Sequence, residues 1–333
     1  MRKDLEGKTG LLALLIGLGL GAVAWHSHRR SKEALDRNPP VGRFVTIEGG
    51  HRLHYVEAGE GPPVVLIHGA SNLLQDMTTS LMPILSKRHR VVAFDRPGHG
   101  HSTRRRYRAW DEAQARALHE GVRRLGLEKP VIVGHSIGGG IAMSYGMQFP
   151  DELTGVVFLG GLAFTEVPSG FWKFIGPATP LLGTLLSYTI YPQLQPRMLA
   201  AMHQKFFHPQ TMPEHVRDAL PIEMLHRPQA IKMNAEDQIM VVPSLIDLQL
   251  HYADYPLPVV VMAGEEDQTT DPRKHAIPLA ERLPSSKLRL FPGLGHMIHH
   301  FAQDEIADAV EGLFNGIPAR PAAPAEAPRA HAA

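Results

Sequence analysis

The residue whose surroundings best suit chemistry is Ser136, which lies between Gly134 and Gly138 in a G-x-S-x-G motif. The apolar residues 131–133 come directly before the motif and predict a buried strand. A strand that turns sharply into a helix at a serine strains the backbone, and only small flanking residues allow so close an approach. Such a turn would expose the Ser136 hydroxyl at the end of a sheet. The alternative is a glycine-rich turn with an incidental serine, because so short a motif also occurs by chance.

The residues after the motif favour the helix. Apolar side chains recur at steps of four, which predicts a helix with one apolar face, at Ile137, Ile141, Tyr145 and Phe149. The glycines 138–140 should each cost about 1 kcal/mol relative to alanine in a helix. We therefore expect close backbone packing at the start of this helix.

A serine nucleophile needs a base, and a histidine in a loop after a strand is the best candidate. His296 follows the strand predicted at 288–291, and glycines on its N-terminal side free this loop to present the ring. His299 and His300 are nearby competitors that lie closer to the last predicted helix.

The histidine in turn needs an acid that orients it. Four acidic residues come shortly after the apolar run 259–263, namely Glu265, Glu266, Asp267 and Asp271. The residues alone do not separate these four. The order serine, acid, histidine, with each residue after a predicted strand, is what favours catalysis over coincidence.

An attacked carbonyl also needs hydrogen-bond donors for its developing negative charge. His68, Gly69 and Ala70 follow the apolar run 64–67, and a glycine there lets the backbone turn toward a site. We expect the backbone N–H groups of Ala70 and Ile137 to form this oxyanion hole. The alternative for residues 68–70 is an ordinary turn from strand to loop.

The composition narrows the function further. The chain has 333 residues, a formal net charge of +1 and no cysteine. The charge gives no indication of nucleic-acid binding, and the lack of cysteine excludes disulfides, thiolate metal sites and a cysteine nucleophile. The 20 histidines are scattered without metal-binding spacing, so we expect neither a metal nor a cofactor.

The elements around these residues alternate between strand and helix. Continuous β-branched runs predict strands buried on both faces, hence a parallel sheet, at 64–67, 91–94, 131–133, 156–159 and 259–262. Helices are predicted at 75–87, 110–125 and 304–314, and a hairpin of two strands at 44–47 and 52–57. This order predicts a doubly wound, mostly parallel α/β sheet.

The alternation stops between residues 163 and 254, which are rich in proline, methionine and aromatic residues. An apolar stripe there consists of Leu181, Leu182, Leu185, Leu186 and Ile190, preceded by Phe171, Trp172 and Phe174. We expect this stripe to pack as lid core over the active site, since such stripes usually face a core. A membrane-facing lid is the alternative. The basic residues 104–108 predict a solvated face, with contact to anionic headgroups as the alternative.

Residues 9–25 form an uncharged apolar run about 25 Å long as a helix, which is the low end for crossing a bilayer. Acidic residues before the run and Arg29, Arg30 and Lys32 after it favour an uncleaved single-pass anchor in a bacterial inner membrane. The charges weakly favour a cytoplasmic catalytic domain. If residues 1–24 are instead a cleaved signal, the protein is periplasmic or secreted. Residues 31–40 are expected to form a linker.

Several segments together resemble the α/β-hydrolase superfamily, from about residue 42 to residue 316. The matching segments are His68-Gly69, residues 95–102 (DRPGHGHS), Gly134-His135-Ser136-Ile137-Gly138-Gly139, residues 264–267 (GEED) and Gly295-His296. The resemblance implies Ser136 as nucleophile, Asp267 as acid, His296 as base and a lid formed by the insertion. The related epoxide hydrolases and haloalkane dehalogenases use an aspartate where this chain has Ser136, which argues against both activities.

The expected organisation is therefore an anchor and linker at 1–40, an α/β-hydrolase core at 41–162 and 255–316, a helical lid at 163–254 and a disordered Pro/Ala tail at 317–333. We expect a carboxylic ester hydrolase that acts on a small hydrophobic ester or acyl substrate. A carbon–carbon bond hydrolase of ring-cleavage products, a perhydrolase or an acyltransferase would use the same residues. A non-catalytic binding module on the same scaffold is the alternative from another class.

Overall fold

The structure, a computed structural model, describes residues 2–104, 111–165 and 172–316. These residues form an eight-stranded sheet. Its strands are β1 (Arg43–Thr46), β2 (Arg52–Ala58), β3 (Pro63–Ile67), β4 (Arg90–Phe94), β5 (Val131–His135), β6 (Gly155–Leu159), β7 (Val259–Gly264) and β8 (Ser286–Phe291). The spatial order is β1-β2-β4-β3-β5-β6-β7-β8, and only the pairs β1–β2 and β2–β4 are antiparallel.

The parallel strands confirm the predicted sheet. Strand β5 lies at its centre, with Gly134 beside Ile67 of β3 on one side and Phe158 of β6 on the other. Both faces of β5 are buried, which agrees with its continuous apolar sequence. The end of β5 therefore carries Ser136 to the middle of the sheet edge where parallel strands end.

Helices cover both faces of the sheet. The helices of the described residues outside the insertion are α1 (Arg2–Arg37), α2 (Leu74–Ser80), α3 (Met82–Leu85), α4 (Asp111–Arg124), α5 (Ile137–Gln148), α12 (Ala276–Arg282) and α13 (Gln303–Phe314). The single helix predicted at 75–87 is divided into α2 and α3, because Pro83 in the first turn of α3 lacks the N–H that would continue the ladder.

Helix α5 differs from the expected amphipathic helix. All its residues from Ile137 to Gly146 are buried, so the predicted single apolar face is wrong. The glycines explain this burial, because they let the helix approach the sheet closely. A β-carbon on Gly138 would lie 2.5 Å from the carbonyl oxygen of Ile67.

The insertion between β6 and β7 is helical in its described part. It consists of α6 (Trp172–Ala178), α7 (Leu182–Thr189), α8 (Tyr191–Phe207), α9 (Glu214–Ala219), α10 (Ile222–Leu225) and α11 (Pro228–Gln249). The apolar stripe does not pack inward: Leu181 is 87% exposed, and Leu182, Leu185 and Ile190 are also exposed. The prediction that the stripe forms lid core is therefore wrong.

Helix α1 contains the predicted anchor but corrects the predicted linker. The segment Thr9–Arg37 is long and apolar enough to cross a membrane, and its most apolar window is not buried by the protein. A signal sequence can have the same length and composition. The helix continues without a break to Arg37, so residues 31–37 are not a linker, and Ala34 packs against Met224 and Leu225 of α10.

Arg104 corrects a second expectation. Its side chain is buried and contacts Asp237 and Glu236 of α11, so it belongs neither to a solvated face nor to a headgroup-binding surface. The rest of the basic cluster, residues 105–108, lies outside the described residues, as do Phe171 and the tail from 317 onward.

Candidate active site

Ser136 occupies a strained turn between β5 and α5. Its φ is 56° and its ψ is −122°, a conformation that non-glycine residues rarely adopt. A β-carbon on Gly134 would lie 2.2 Å from the carbonyl oxygen of Gly138, so the turn closes only with glycine at position 134. Strain of this kind costs about 1–3 kcal/mol and persists where the surrounding structure imposes it. The local geometry is that of a nucleophile elbow.

The two predicted oxyanion residues border the same cavity as Ser136. Ala70, Ser136 and Ile137 all line a cavity of about 640 Å³ between the sheet edge and the lid. Ile137 is the first residue of α5, where a backbone N–H has no acceptor within its own helix. A β-carbon on Gly69 would lie 3.1 Å from Cβ of Ser136, so glycine allows the loop before Ala70 to pass close to the serine.

His296 and Asp267 form a buried pair at the ends of β8 and β7. Nδ1 of His296 lies 2.8 Å from Oδ2 of Asp267. The other carboxylate oxygen accepts hydrogen bonds from the backbone N–H groups of Thr269 at 2.7 Å and Thr270 at 2.9 Å. Burial opposes ionisation of Asp267, but the adjacent His296 ring and these hydrogen bonds outweigh it and lower the pKa of the carboxyl.

The rival acids lie elsewhere. Glu265 and Glu266 are exposed, and Asp271 accepts a hydrogen bond from the backbone N–H of Arg273. Among the four candidates, Asp267 is the one that contacts His296.

The rival histidines contact a different carboxylate. Nε2 of His300 lies 2.8 Å from Oδ1 of Asp76, and Nε2 of His299 lies 3.1 Å from Oδ2 of the same residue. Asp76 belongs to α2, more than 200 residues before these histidines, and no local pattern connects the two segments. Burial opposes its ionisation, but His299 and His300 lower the pKa of Asp76 well below its usual value.

His135 links this second group to His296. Its Nε2–H donates to the backbone carbonyl oxygen of His296 at 3.0 Å, and its ring lies 4.2 Å from that of His299. Burial and repulsion from His299 hold the pKa of His135 well below its ordinary value, so the ring is neutral. Within the described residues, His135, His299 and Asp76 offer ligand atoms within 4.8 Å of one another and could together hold a divalent cation.

His68 supports the loop that carries Ala70. Its Nδ1–H donates to the carbonyl oxygen of Gly69 at 2.8 Å, and its Nε2 accepts from the backbone N–H of Arg96 at 3.0 Å. Complete burial and the charge of Arg96 lower the pKa of His68 to about 3. A neutral His68 therefore connects the loop at residues 68–70 by hydrogen bonds to the loop at residues 95–102, which we call the wall loop.

Sequence reasoning missed a buried charge network between the wall loop and the lid. Asp237 of α11 accepts from Arg96 at 2.6 Å, from His99 at 2.7 Å and from Arg104 at 2.5 Å. Asp237 is 1% exposed, and its arginine partners keep it ionised despite burial. The partners are more than 130 residues apart in sequence, so no local pattern could have revealed them.

Thr270 is a second residue that the sequence did not single out. Its hydroxyl lies 2.7 Å from Oδ2 of Asp267, 2.7 Å from the carbonyl oxygen of Gly160 and 3.1 Å from Nδ1 of His296. It also lines the cavity. Thr270 thus fixes the geometry of the His296–Asp267 pair from the cavity side.

The cavity is lined by both apolar and basic side chains. Apolar side chains come from core and lid, among them Leu162, Phe174, Met198, Met202 and Phe206. Four basic residues also line it, namely Lys173, Arg197, Lys205 and Lys274, against one acid, Asp271. Such a cavity suits a small amphiphilic molecule.

Known proteins resemble the chain over most of its length. A family description of the α/β hydrolase fold matches residues 62–303. A 2-hydroxy-6-oxo-6-phenylhexa-2,4-dienoate hydrolase of Burkholderia cepacia is 26% identical over 285 residues, which cover 82% of this chain and 94% of the relative.

Two solved structures show the same fold. An esterase from Thermogutta terrifontis superimposes with a TM-score of 0.66 and 22% identity, covering 82% of this chain and 98% of its own. A meta-cleavage product hydrolase from Pseudomonas fluorescens superimposes with a TM-score of 0.62 and 20% identity, covering 84% and 99%. With the sheet order, the turn at Ser136 and the matched residues 62–303, the chain belongs to the α/β hydrolase fold family.

Proposed function

We propose that this protein is a serine hydrolase that cleaves carboxylic esters with an apolar acyl or alcohol group. The observation that carries the proposal is that Ser136, on its strained turn, borders one cavity together with Ala70 and Ile137. The His296–Asp267 pair at the adjacent strand ends supports it. Ser136, Asp267 and His296 are thus the proposed nucleophile, acid and base.

The proposed reaction proceeds in two steps. Oγ of Ser136 attacks the ester carbonyl carbon while Nε2 of His296 takes the hydroxyl proton. Asp267 accepts from Nδ1–H of His296, which leaves Nε2 free as the base and stabilises the imidazolium that forms. The N–H groups of Ala70 and Ile137 donate to the oxyanion. His296 then protonates the departing alcohol, and water releases the acyl group from Ser136 by the same steps.

A second candidate is hydrolysis of a carbon–carbon bond in a ring-cleavage product. The basic residues along the cavity favour a substrate with a carboxylate, and the relative from Burkholderia cepacia is named for a dienoate substrate. The apolar surroundings of Ser136 favour the ester. Turnover of a phenylhexadienoate at a higher kcat/KM than any ester in a chain-length series would select the second candidate.

The proposal is tested with Ser136→Ala in the full-length protein, using p-nitrophenyl esters of short and medium acyl chains. We expect kcat to fall by about 10⁴-fold or more, because the nucleophile is removed. Ser144→Ala on the same helix is the matched control, since the Ser144 hydroxyl contacts only Gln148 among the hydrogen bonds of the described residues. Ester turnover that survives Ser136→Ala would refute the mechanism.

A fluorophosphonate probe separates a hydrolase from a binding module on the same scaffold. We expect the probe to label Ser136 in the unmodified protein and to leave Ser136→Ala unlabelled, as read by peptide mass spectrometry. A folded protein with no label at Ser136 would favour the binding module.

A membrane anchor is part of the proposal. The apolar length of α1 and its exposure to the surroundings support an uncleaved anchor. A mature protein that begins after Ala24, as read by N-terminal sequencing, would contradict it.

A further inference from the structure

Helix α7 of the lid turns its apolar side outward. Its buried residues are the small or polar Gly183, Ser187 and Thr189. We define the outer face by four exposed apolar residues. Leu182 (53% exposed) and Leu185 (49%) lie on α7, and Leu181 (87%) and Ile190 (49%) flank it. A helix that faces water has the opposite arrangement, with its apolar stripe toward the core.

Helix α7 contacts α1 as well as α6, α8 and α11 of the lid. On α1, Val23 and Ala24 are half-buried and Ser27 is buried, whereas residues 9–22 are exposed. Farther along α1, Ala34 lies in a buried cluster with residues of α10. We infer that the positions of α1 nearer the apolar run contact the other lid helices. Gly183 itself packs against α6, where a β-carbon at this position would lie 2.2 Å from the carbonyl oxygen of Pro177.

The contact begins where α1 should leave a bilayer. Trp25 is 63% exposed, and the guanidinium of Arg29 lies 5.5 Å from the centre of its ring. Tryptophan is enriched at the boundary between acyl chains and water, and basic residues lie just beyond it. The partly buried positions of α1 therefore start at Val23, two residues before Trp25, and α7 is one of the helices that contact α1.

The helices on either side of α7 extend the apolar surface. Trp172 on α6 is 76% exposed and Leu194 on α8 is 46% exposed. Lys173 and Arg197, next to the cavity, lie on the same two helices. Apolar residues rimmed by basic ones fit the boundary layer of an anionic bilayer, whereas scattered exposed apolar residues would need no partner.

We propose that the outer face of α7 is a second membrane contact, seated in the headgroup and acyl boundary of the bilayer that α1 crosses. The occupant is lipid, because the face is continuous with the exposed apolar helix α1. The lid would then be held at the membrane surface, with α6 and α8 placing the cavity beside the bilayer. This contact does not depend on which bond Ser136 cleaves.

The test uses single cysteines, since the chain has none. Leu185→Cys and Leu181→Cys in the full-length protein are labelled with an environment-sensitive fluorophore and reconstituted in vesicles of phosphatidylcholine and phosphatidylglycerol. Asp308→Cys, at an exposed position on α13, is the control in the same anchored protein. Ester turnover and thermal unfolding show that each variant is folded, and the side chains at 181 and 185 point outward, so substitution should be tolerated.

We expect the labels at 181 and 185 to emit at shorter wavelength, to be quenched by lipids that carry a shallow spin label and to resist quenching by iodide. The label at 308 should behave in the opposite way. Labels at 181 and 185 that iodide quenches as readily as the label at 308 would overturn the proposal. Shielding from iodide without quenching by spin-labelled lipid would also overturn it, in favour of a second copy of this chain on the outer face.

Discussion

Two buried carboxylates at the sheet edge each bind histidine, and they differ in what lies beside them. Asp267 contacts His296 at 2.8 Å, and Asp76 contacts His300 at 2.8 Å. Neither pair lines the cavity itself, but the Asp267 pair contacts Thr270, which lines it with Ser136. A histidine–carboxylate pair is therefore not a sign of catalysis by itself. The two pairs differ in that, among the hydrogen bonds of the described residues, Thr270 in the lining of the cavity beside Ser136 contacts the Asp267 pair and not the Asp76 pair.

His135 joins the two groups. It directly precedes Ser136, its side chain donates to the backbone of His296, and its ring lies against His299. The Asp76 group therefore lies behind the loop that carries His296 and supports it. Substituting one carboxylate at a time should show which of them is needed for kcat and which mainly for the stability of the fold.

The largest effect is expected from Asp267→Asn. We expect kcat to fall by about 10⁴-fold with the fold intact, because an amide can favour the wrong tautomer of His296. Steady-state ester kinetics and thermal unfolding measure the two quantities. An Asp267→Asn variant with nearly full activity would move the acid's role to another residue.

Asp237→Asn should mainly reduce stability. Asp237 is buried between Arg96 and Arg104, and removal of its charge leaves both cations without their shared counter-charge. We expect the free energy of unfolding to fall by about 3–5 kcal/mol. Urea unfolding measures this loss, with Glu214→Gln, at an exposed ion pair, as the control that should change little.

Asp76→Asn should have a smaller effect on stability and little effect on chemistry. It weakens the contacts to His299 and His300, for which we expect a loss of about 2 kcal/mol in the free energy of unfolding. The kcat per folded molecule should stay within about tenfold of the unmodified value. A tenfold change corresponds to about 1.4 kcal/mol in the activation free energy. A loss of kcat equal to that of Asp267→Asn would remove the distinction between the two groups. Metal analysis of the purified protein shows whether a cation contributes.

The smallest effect concerns pH. Burial lowers the pKa of both His135 and His299 in the folded protein. Because the unfolded chain binds protons at these residues below pH about 6.5 and the folded protein does not, stability should decrease as the pH falls from that value. We expect His299→Gln to make the decrease shallower between about pH 6.5 and pH 5 in urea unfolding. An unchanged slope would show that His299 is protonated in the folded state.

The parallel strands and the turn at Ser136 could be predicted because their signals are local. A strand buried on both faces has a continuous apolar sequence, and a tight turn between strand and helix needs glycine at fixed positions. Asp267 was separable from Glu265, Glu266 and Asp271 only by resemblance, because these acids lie one to four positions away. The glycines before His296 favoured it over His299 and His300.

The orientation of α7 could not be predicted in the same way. Periodicity identifies the apolar side of a helix but not its neighbours, and one neighbour of α7 is α1, about 150 residues earlier in the chain. The linker expected at residues 31–40 failed for the same reason. Those residues continue α1 because Ala34 finds a buried position among Met224 and Leu225, which the local sequence does not reveal.

The sequence by itself determined the sheet and the strained glycine turn at Ser136, because these depend on local backbone preferences and on residue type. The tertiary structure decided which carboxylate contacts which histidine, how Asp237 ties the lid to the wall loop and which side of α7 is exposed. These depend on contacts between segments far apart in the chain. A local pattern carries no information about such partners, whereas burial and distance in the folded protein identify them directly.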